Sequence, residues 1–183
     1  MAEYYLISQL PSLDGIEGSA PLPITEERFL ELCDRFAGKK VRRELEHLTL
    51  VPSPEPQKTG FALIEAWNHG ERSLRLALAK ARAEQWKQPF EIKKDTLPME
   101  WIKVANAAVE LENPLEAEVF LLKHRLQFLE TLRPMDAFSE EYLFYYGLKL
   151  KLLLRVRQFD TQRGKDEYRK LYNSILNGDR LEA

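Results

Sequence analysis

The sequence predicts an all-α fold, a single-domain multi-helix bundle over residues 1–183 with a C-terminal helical hairpin and a final helix. The first observation is a series of apolar residues spaced alternately by four and three positions, the period of one helix face: Leu115, Val119, Leu122, Leu126 and Leu129. The second is a short connection, Arg133 to Phe138, before the next apolar segment, Tyr142 to Phe159. A connection this short predicts that the two helices are antiparallel neighbours.

Composition and charge argue against several classes of protein. Charged residues make up 31% of the 183 residues and the formal net charge is -2, so no overall field favours nucleic acid or an anionic membrane. The longest apolar-rich run, Tyr142 to Leu154, is shorter than the ~20 residues that span a bilayer. One cysteine, and an N-terminus without the pattern of a secretory signal, predict a reducing cytoplasm. We therefore expect a cytoplasmic protein without a membrane span.

For the N-terminal part, residues 1–50, the sequence predicts helices and a proline-containing loop between them. Tyr4 to Leu10 is dense in aromatic and aliphatic residues and stops at a proline. Seven residues are compatible with a short strand or a short buried helix, and the pattern leaves both open. The pair Asp14 and Gly15 predicts an ordinary turn in the loop that follows.

Two helices and a connector come next. Thr25 predicts a helix N-cap, and the helix that it begins carries Cys33 on its apolar stripe. Gly38 predicts the end of this helix, before a second one that runs towards Leu50. Residues 51–60 hold three prolines in alternation, which forbids a helix and predicts an extended connector.

The main bundle is predicted over residues 61–183. Its first helix covers Phe61 to Gln85, and the Asn-His-Gly triplet at positions 68–70 predicts a break within it. Pro98 predicts the first turn of the next helix, and Pro114 predicts the first position of the helix after that.

The second helix of the hairpin, Tyr142 to Phe159, has two apolar faces. At 100° per residue, four residues fall on one face and four on nearly the opposite face: Leu143, Tyr146, Leu150 and Leu154, then Phe144, Tyr145, Leu148 and Leu152. One face is expected to pack on the preceding helix and the other on the first or last helices, with apolar surface left for a partner. The last helix is predicted to start after Asp160 and to carry one apolar stripe: Tyr168, Leu171, Tyr172 and Ile175.

Recognisable catalytic and cofactor motifs are missing from the sequence. His47, His69 and His124 stand apart, and none belongs to a spacing that would place two imidazoles on one helix face. His124 is expected on a solvated face, between Lys123 and Arg125, and Cys33 is expected to be a small core residue. The sequence therefore predicts a protein that is not an enzyme and that holds neither a cofactor nor a metal.

One local charge pattern stands out, because the segment Tyr142 to Phe159 has four basic residues and no acidic one: Lys149, Lys151, Arg155 and Arg157. Lys151 and Arg155 share a helix face, and the other two lie elsewhere. This scatter does not fit a nucleic-acid stripe. The four residues either border the apolar faces and pair with glutamates of the same chain, or contact an acidic partner helix.

Three segments carry a resemblance to a known family: YYLISQLPSL at 4–13, ENPLEAEVFLLKHRLQFLETL at 112–132 and YGLKLKLLLRVRQFDTQRGKDEYRKLY at 146–172. Together they resemble a bacterial family of unknown function that is associated with V-type ATPases and is similar to a shortened C (d-type) subunit. The resemblance is weakest from Pro52 to Thr96. It implies a helical, noncatalytic peripheral subunit between the central stalk and the membrane ring, at the cytoplasmic face of the inner membrane.

The resemblance leads us to expect a noncatalytic coupling subunit or assembly factor of a bacterial V-type ATPase, whose partners are the central stalk and the membrane ring. Two alternatives remain open from the sequence. One is a free-standing helical adaptor or regulator of other proteins. The other is an enzyme or ligand-binding domain, which requires a concave pocket where polar groups converge near His124 or Cys33.

Overall fold

A computed structural model of the chain describes residues 2–16, 21–90, 97–159 and 161–178. Over these residues the chain forms helices and loops without a β-strand, so the predicted all-α, multi-helix class is confirmed. The helices are, in chain order, α1 (Ala2–Gln9), α2 (Glu26–Phe36), α3 (Lys39–Glu46), α4 (Ala62–Gln85), α5 (Met99–Glu110), α6 (Pro114–Thr131), α7 (Glu140–Gln158) and α8 (Thr161–Gly178).

The first segment is helix α1, and the alternative of a strand at Tyr4 to Leu10 is wrong. Leu6 and Ile7 are neighbours in sequence and both are buried in the core. Successive residues of a strand point to opposite faces, whereas neighbours on a helix can both lie towards one side. The Ser8 hydroxyl donates a hydrogen bond of 2.8 Å to the carbonyl of Tyr5, as is typical of a helical turn.

Helices α2 and α3 lie where the sequence predicts them. The Thr25 hydroxyl accepts a hydrogen bond of 3.2 Å from the backbone N–H of Arg28, which caps α2. α2 ends one residue earlier than predicted, with Ala37 as its C-cap, and Gly38 instead precedes the first residue of α3. Residues 51–60 contain no helix, as their prolines require.

Helix α4 is continuous from Ala62 to Gln85, so the predicted break at positions 68–70 is wrong. Gly70 is buried, and a Cβ atom placed there would lie 2.4 Å from two ring atoms of Phe128. The glycine therefore makes room for an aromatic side chain of α6. Tertiary packing, which the local sequence does not reveal, explains why a residue of low helix propensity occupies the middle of a helix.

Helices α6 and α7 form the predicted antiparallel hairpin. The Asn113 side chain accepts a 3.0 Å hydrogen bond from the backbone N–H of Leu115 and so caps α6 beside Pro114. The ion pairs between the two helices show that the helices run in opposite directions. The end of α6 meets the middle of α7 through Glu130 and Lys149, and an earlier turn of α6 meets a later turn of α7 through Glu118 and Arg155.

Both apolar faces of α7 are covered by the chain itself. Every residue from Leu143 to Leu150 is buried, and so is Leu152. α6 packs on one side of α7, and α2, α3 and α4 pack on the rest. The expectation of apolar surface left for a partner is therefore wrong for this part of α7. In the described part of the chain, no helix is long and apolar enough to cross a membrane.

Phe128 of α6 packs against both of the apolar clusters that form the interior. One cluster surrounds α7 and includes Trp67 of α4, and the other joins α5 to the second half of α4 and includes Trp101. The centroid of the Phe128 ring lies 6.0 Å from that of Trp67 and 5.0 Å from that of Trp101. A single aromatic ring thus links the two clusters beside the Gly70 backbone.

A buried ion pair connects α4 to α6. Glu71 is 2% exposed and Arg125 is 9% exposed. The Arg125 guanidinium donates two hydrogen bonds to the Glu71 carboxylate, one of 2.9 Å and one of 3.0 Å, in the bidentate geometry that arginine favours. The Nε of Arg75 donates a third, of 2.9 Å. The chain therefore buries Arg125, which the sequence places beside the exposed Lys123 in a stretch expected to be solvated.

Candidate functional site

The four basic residues of α7 occupy three different environments. Lys149 is 8% exposed and lies inside the fold. Its ammonium donates hydrogen bonds of 2.5 Å to Asp14, 2.6 Å to Glu130 and 3.1 Å to the Tyr145 hydroxyl. Lys149 thus ties the N-terminal turn to the hairpin, which is a structural contact within the chain.

The protonation of this cluster follows from its contacts. Burial opposes the charge on Lys149, but its hydrogen bonds to Asp14, Glu130 and Tyr145 outweigh burial, so the pKa of Lys149 is raised. The hydrogen bond from Lys149 lowers the pKa of Asp14 below its usual 3.8. Burial and the hydrogen bond to Glu130 raise the pKa of Tyr145 to about 12. The contribution of Asp14 to stability is therefore present above the ordinary carboxyl range and is lost as pH falls through its folded-state pKa.

Replacing Lys149 with methionine is expected to lower the free energy of unfolding by about 1–2 kcal/mol near neutral pH. The loss stays below that of a fully buried pair because Asp14 and Glu130 are half exposed and can return to water. Urea denaturation followed by circular dichroism measures the change. Lys123→Met, at an exposed position of α6, is the control and should change stability little. Equal stability of the two variants would show that the Lys149 contacts do not stabilise the fold.

Lys151 and Arg155 are paired within the chain but remain partly exposed. Lys151 donates a short hydrogen bond to Glu26, in the first turn of α2. Arg155 donates hydrogen bonds of 3.1 and 2.8 Å to one oxygen of Glu118. These contacts match the interpretation that the basic residues pair with glutamates of the same chain.

Arg157 has a different environment. The Nη2 atom of its guanidinium is buried and has no hydrogen-bond partner, and Arg157 forms no ion pair with a described residue. An arginine is charged at every physiological pH, and an unsatisfied buried donor lowers stability. Of the four basic residues, Arg157 is therefore the one whose charge no described carboxylate compensates.

Lys151, Arg155 and Arg157 all border one open groove of about 620 Å³, which we call the α3–α7 groove. The groove lies between the last turns of α7, the start of α2 and the segment after α3. Its other side chains are mostly aliphatic, with Glu26 at the edge: Leu48, Leu50, Val51 and Leu154. Three of the four predicted contact residues thus share one surface, and Lys149 does not belong to it.

Helix α8 carries a second uncovered surface. Every described side chain from Gly164 to Ser174 is exposed, and within the described residues α8 packs along the length of no other helix. Tyr168, Leu171 and Tyr172 are 68%, 63% and 53% exposed and lie on one side. We call these three residues the α8 stripe. Of the two alternatives for the second face of α7, the first helices or the last, the structure has the first helices, because α2 and α3 pack on α7 together with α4.

The residues considered for chemistry lie apart. Cys33 is buried, and burial raises the pKa of its thiol to about 12, so it is a core residue as predicted. The His124 ring packs edge-on against Phe120, with ring centroids 4.5 Å apart. Neither residue borders the α3–α7 groove or the smaller cavity of about 170 Å³ between α4, α5 and α6. Among the described residues, histidine, cysteine and carboxylate side chains form no cluster suited to a metal.

The fold and these surfaces define a multi-helix protein with an uncovered amphipathic helix and a basic, aliphatic groove. No known protein family, curated protein or solved structure matches the chain. Sequence reasoning found the basic residues but missed their partners, since Asp14 and Lys149 are 135 positions apart. It also missed the contribution of Leu48 and Leu50 to the groove, because both are consistent with the apolar face of a helix.

Proposed function

We propose that this chain is a noncatalytic peripheral subunit or assembly factor of a bacterial V-type ATPase that couples the central stalk to the membrane ring. The support for the ATPase as partner is the resemblance of segments 4–13, 112–132 and 146–172. The structural observation that supports a binding function is the α8 stripe, an apolar surface that the chain leaves uncovered.

The segments that carry the resemblance contact one another in the fold. The Tyr146 hydroxyl of the third segment donates a 2.9 Å hydrogen bond to the carbonyl of Pro11 in the first. Lys149 of the third segment contacts Glu130 of the second. The first segment, the second segment and the α7 part of the third therefore lie against one another, which suits a shared role better than three separate similarities would.

The α8 stripe is suited to helix-to-helix docking. Tyr168 and Tyr172 are one turn apart with ring centroids 6.2 Å apart, and Leu171 lies beside them. Large, rigid aromatic side chains with polar ends are enriched at the centres of protein interfaces. Burying this stripe against a subunit of the ATPase would remove its apolar surface from water.

Affinity purification of the tagged chain from its native cell, in mild detergent and low salt, tests this proposal. We expect V-type ATPase subunits among the recovered proteins. Leu171→Glu should lower their recovery at least about tenfold, because a charge placed at the centre of an apolar contact is desolvated on binding. Asn173→Glu is the matched control, since it adds the same charge to an exposed position on the other side of α8.

Recovery of the wild-type chain free of every ATPase subunit would refute the ATPase assignment. Recovery of the subunits at equal levels with both glutamate variants would place the contact away from the α8 stripe.

A free-standing helical adaptor or regulator is the second candidate function. It is favoured by the complete covering of α7 from Leu143 to Leu150, since this core needs no partner to bury it. An adaptor is expected to remain a monomer or homodimer in size-exclusion chromatography and to be missing from the membrane fraction. Its purification would recover partner proteins other than ATPase subunits.

A further inference from the structure

The α3–α7 groove combines an aliphatic lining with an excess of positive charge. Three cations and one carboxylate border it, and that carboxylate, Glu26, is paired with Lys151. Arg155 is paired with Glu118, which comes from outside the groove. Within the described residues, no carboxylate pairs with Arg157, which also borders the groove.

We propose that the α3–α7 groove binds an acidic amphipathic segment of another protein, with a carboxylate of that segment held by Arg157 and its apolar residues on the aliphatic lining. Arg157 lines the groove and forms no ion pair with a described residue, so a carboxylate of the bound segment would compensate its charge through charge-assisted hydrogen bonds. The inference rests on the proposed binding function but not on the identity of the ATPase.

The shape of the groove favours a peptide segment. Its volume of about 620 Å³ is enough for several side chains, and it is open to solvent. A small molecule usually needs a cleft that encloses most of its surface, whereas an amphipathic helix needs an open trough with an apolar base. Leu48, which is 6% exposed, forms part of such a base, and Val51, which is 52% exposed, forms part of its edge.

The positive charge of α8 argues against α8 of a second copy as the segment that binds in the α3–α7 groove. The α8 sequence has four basic and two acidic residues, so it repels a groove that already has excess positive charge: Arg163, Lys165, Arg169 and Lys170 against Asp166 and Glu167. A foreign segment rich in glutamate and leucine has the complementary character.

Fluorescence anisotropy with the full-length chain and a labelled peptide of three Leu-Glu-Glu-Leu repeats tests the proposal at low salt. We expect micromolar binding of this peptide and no binding of the corresponding peptide with lysine in place of glutamate. Arg157→Glu should weaken binding about tenfold or more, and Arg157→Gln should weaken it less. Lys103→Glu makes the same kind of charge reversal at an exposed position of α5, outside the groove, and should leave the affinity within about twofold.

Two results would overturn the proposal. One is failure of the acidic peptide to bind the folded wild-type chain, including the case in which the chain instead forms a dimer that Arg157→Glu disrupts. The other is an equal loss of affinity in Arg157→Glu and Lys103→Glu, which would indicate nonspecific attraction. Neither measurement involves the ATPase, so recovery of ATPase subunits through the α8 stripe can succeed or fail independently.

Discussion

Glu71→Leu is expected to lower the free energy of unfolding by about 3–5 kcal/mol, enough to unfold a domain of ordinary stability. The substitution leaves the Arg125 guanidinium buried, and Glu118, 3.8 Å away, is then the one carboxylate among the described residues that pairs with it. Arg75 is 45% exposed at its side chain and can turn to water. The destabilisation therefore comes mainly from the unpaired charge on Arg125. Chemical denaturation monitored by circular dichroism measures the change.

The double variant Glu71→Leu/Arg125→Met separates this explanation from loss of packing. Removing both charges leaves apolar side chains of similar size, so the double variant should be more stable than Glu71→Leu alone. An additive result, with the double variant less stable than either single variant, would contradict the view that the unpaired charge is the cause. Lys80→Leu, which removes a surface partner of Glu84 on the same helix, should cost less than about 1 kcal/mol.

Gly70→Ala is expected to lower the free energy of unfolding by about 2–3 kcal/mol, because the new methyl group overlaps the Phe128 ring. The closest ring atoms lie 2.4 Å from the added Cβ, and the ring cannot move freely between Trp67 and Trp101. This sign is opposite to the usual effect, since alanine in an exposed helix interior is more stable than glycine by about 1 kcal/mol. Thermal and urea unfolding measure the difference.

Gly164→Ala is the matched control for that substitution. Gly164 lies within α8, is exposed, and would place its Cβ with no other atom inside 4 Å. The change should leave stability equal or slightly higher. A second test replaces the Phe128 ring with a smaller side chain. In a Phe128→Leu background, Gly70→Ala should lower the free energy of unfolding less than it does in the wild type. Loss of stability of the same size in both backgrounds would show that Phe128 is not the cause.

The sequence was sufficient for features that depend on local periodicity and capping. Thr25, Asn113 and Pro114 mark helix starts through contacts within one turn, so the beginnings of α2 and α6 were predictable. The two apolar faces of α7 were also readable from the sequence, but the expectation that they leave surface for a partner was wrong, because the chain itself covers both. The short connection from Arg133 to Phe138 predicted the antiparallel hairpin of α6 and α7.

The errors arose where a distant residue decides the local structure. Gly70 has a low helix propensity and so predicts a helix break. The Phe128 ring, 58 residues further along the chain, requires a residue without a Cβ atom at this position. Arg125 reads as a surface residue beside Lys123, but Glu71 of α4 holds it in the interior. Helix periodicity could have suggested this, since position 125 lies three residues after the buried Leu122.

The candidate binding surfaces were only partly predictable. A count of charges identified the basic residues of α7, but charge counting cannot tell which of them already have a partner. Lys149 is neutralised by Asp14 and Glu130, and Arg157 is not neutralised by a described residue. The α8 stripe was visible as a pattern, and only the packing of α2, α3 and α4 around α7 shows that the stripe has no cover within the described fold.

The position of α7 has a consequence for synthesis of the protein. α2 and α3 are made early, yet the helix that buries their apolar faces is completed only at residue 158. While the ribosome is still translating the intervening part, Phe29, Val41 and Leu45 lack the α7 side chains that complete their cluster. We expect the nascent chain to remain sensitive to proteases and to bind chaperones until α7 has emerged, and then to become resistant in one late step.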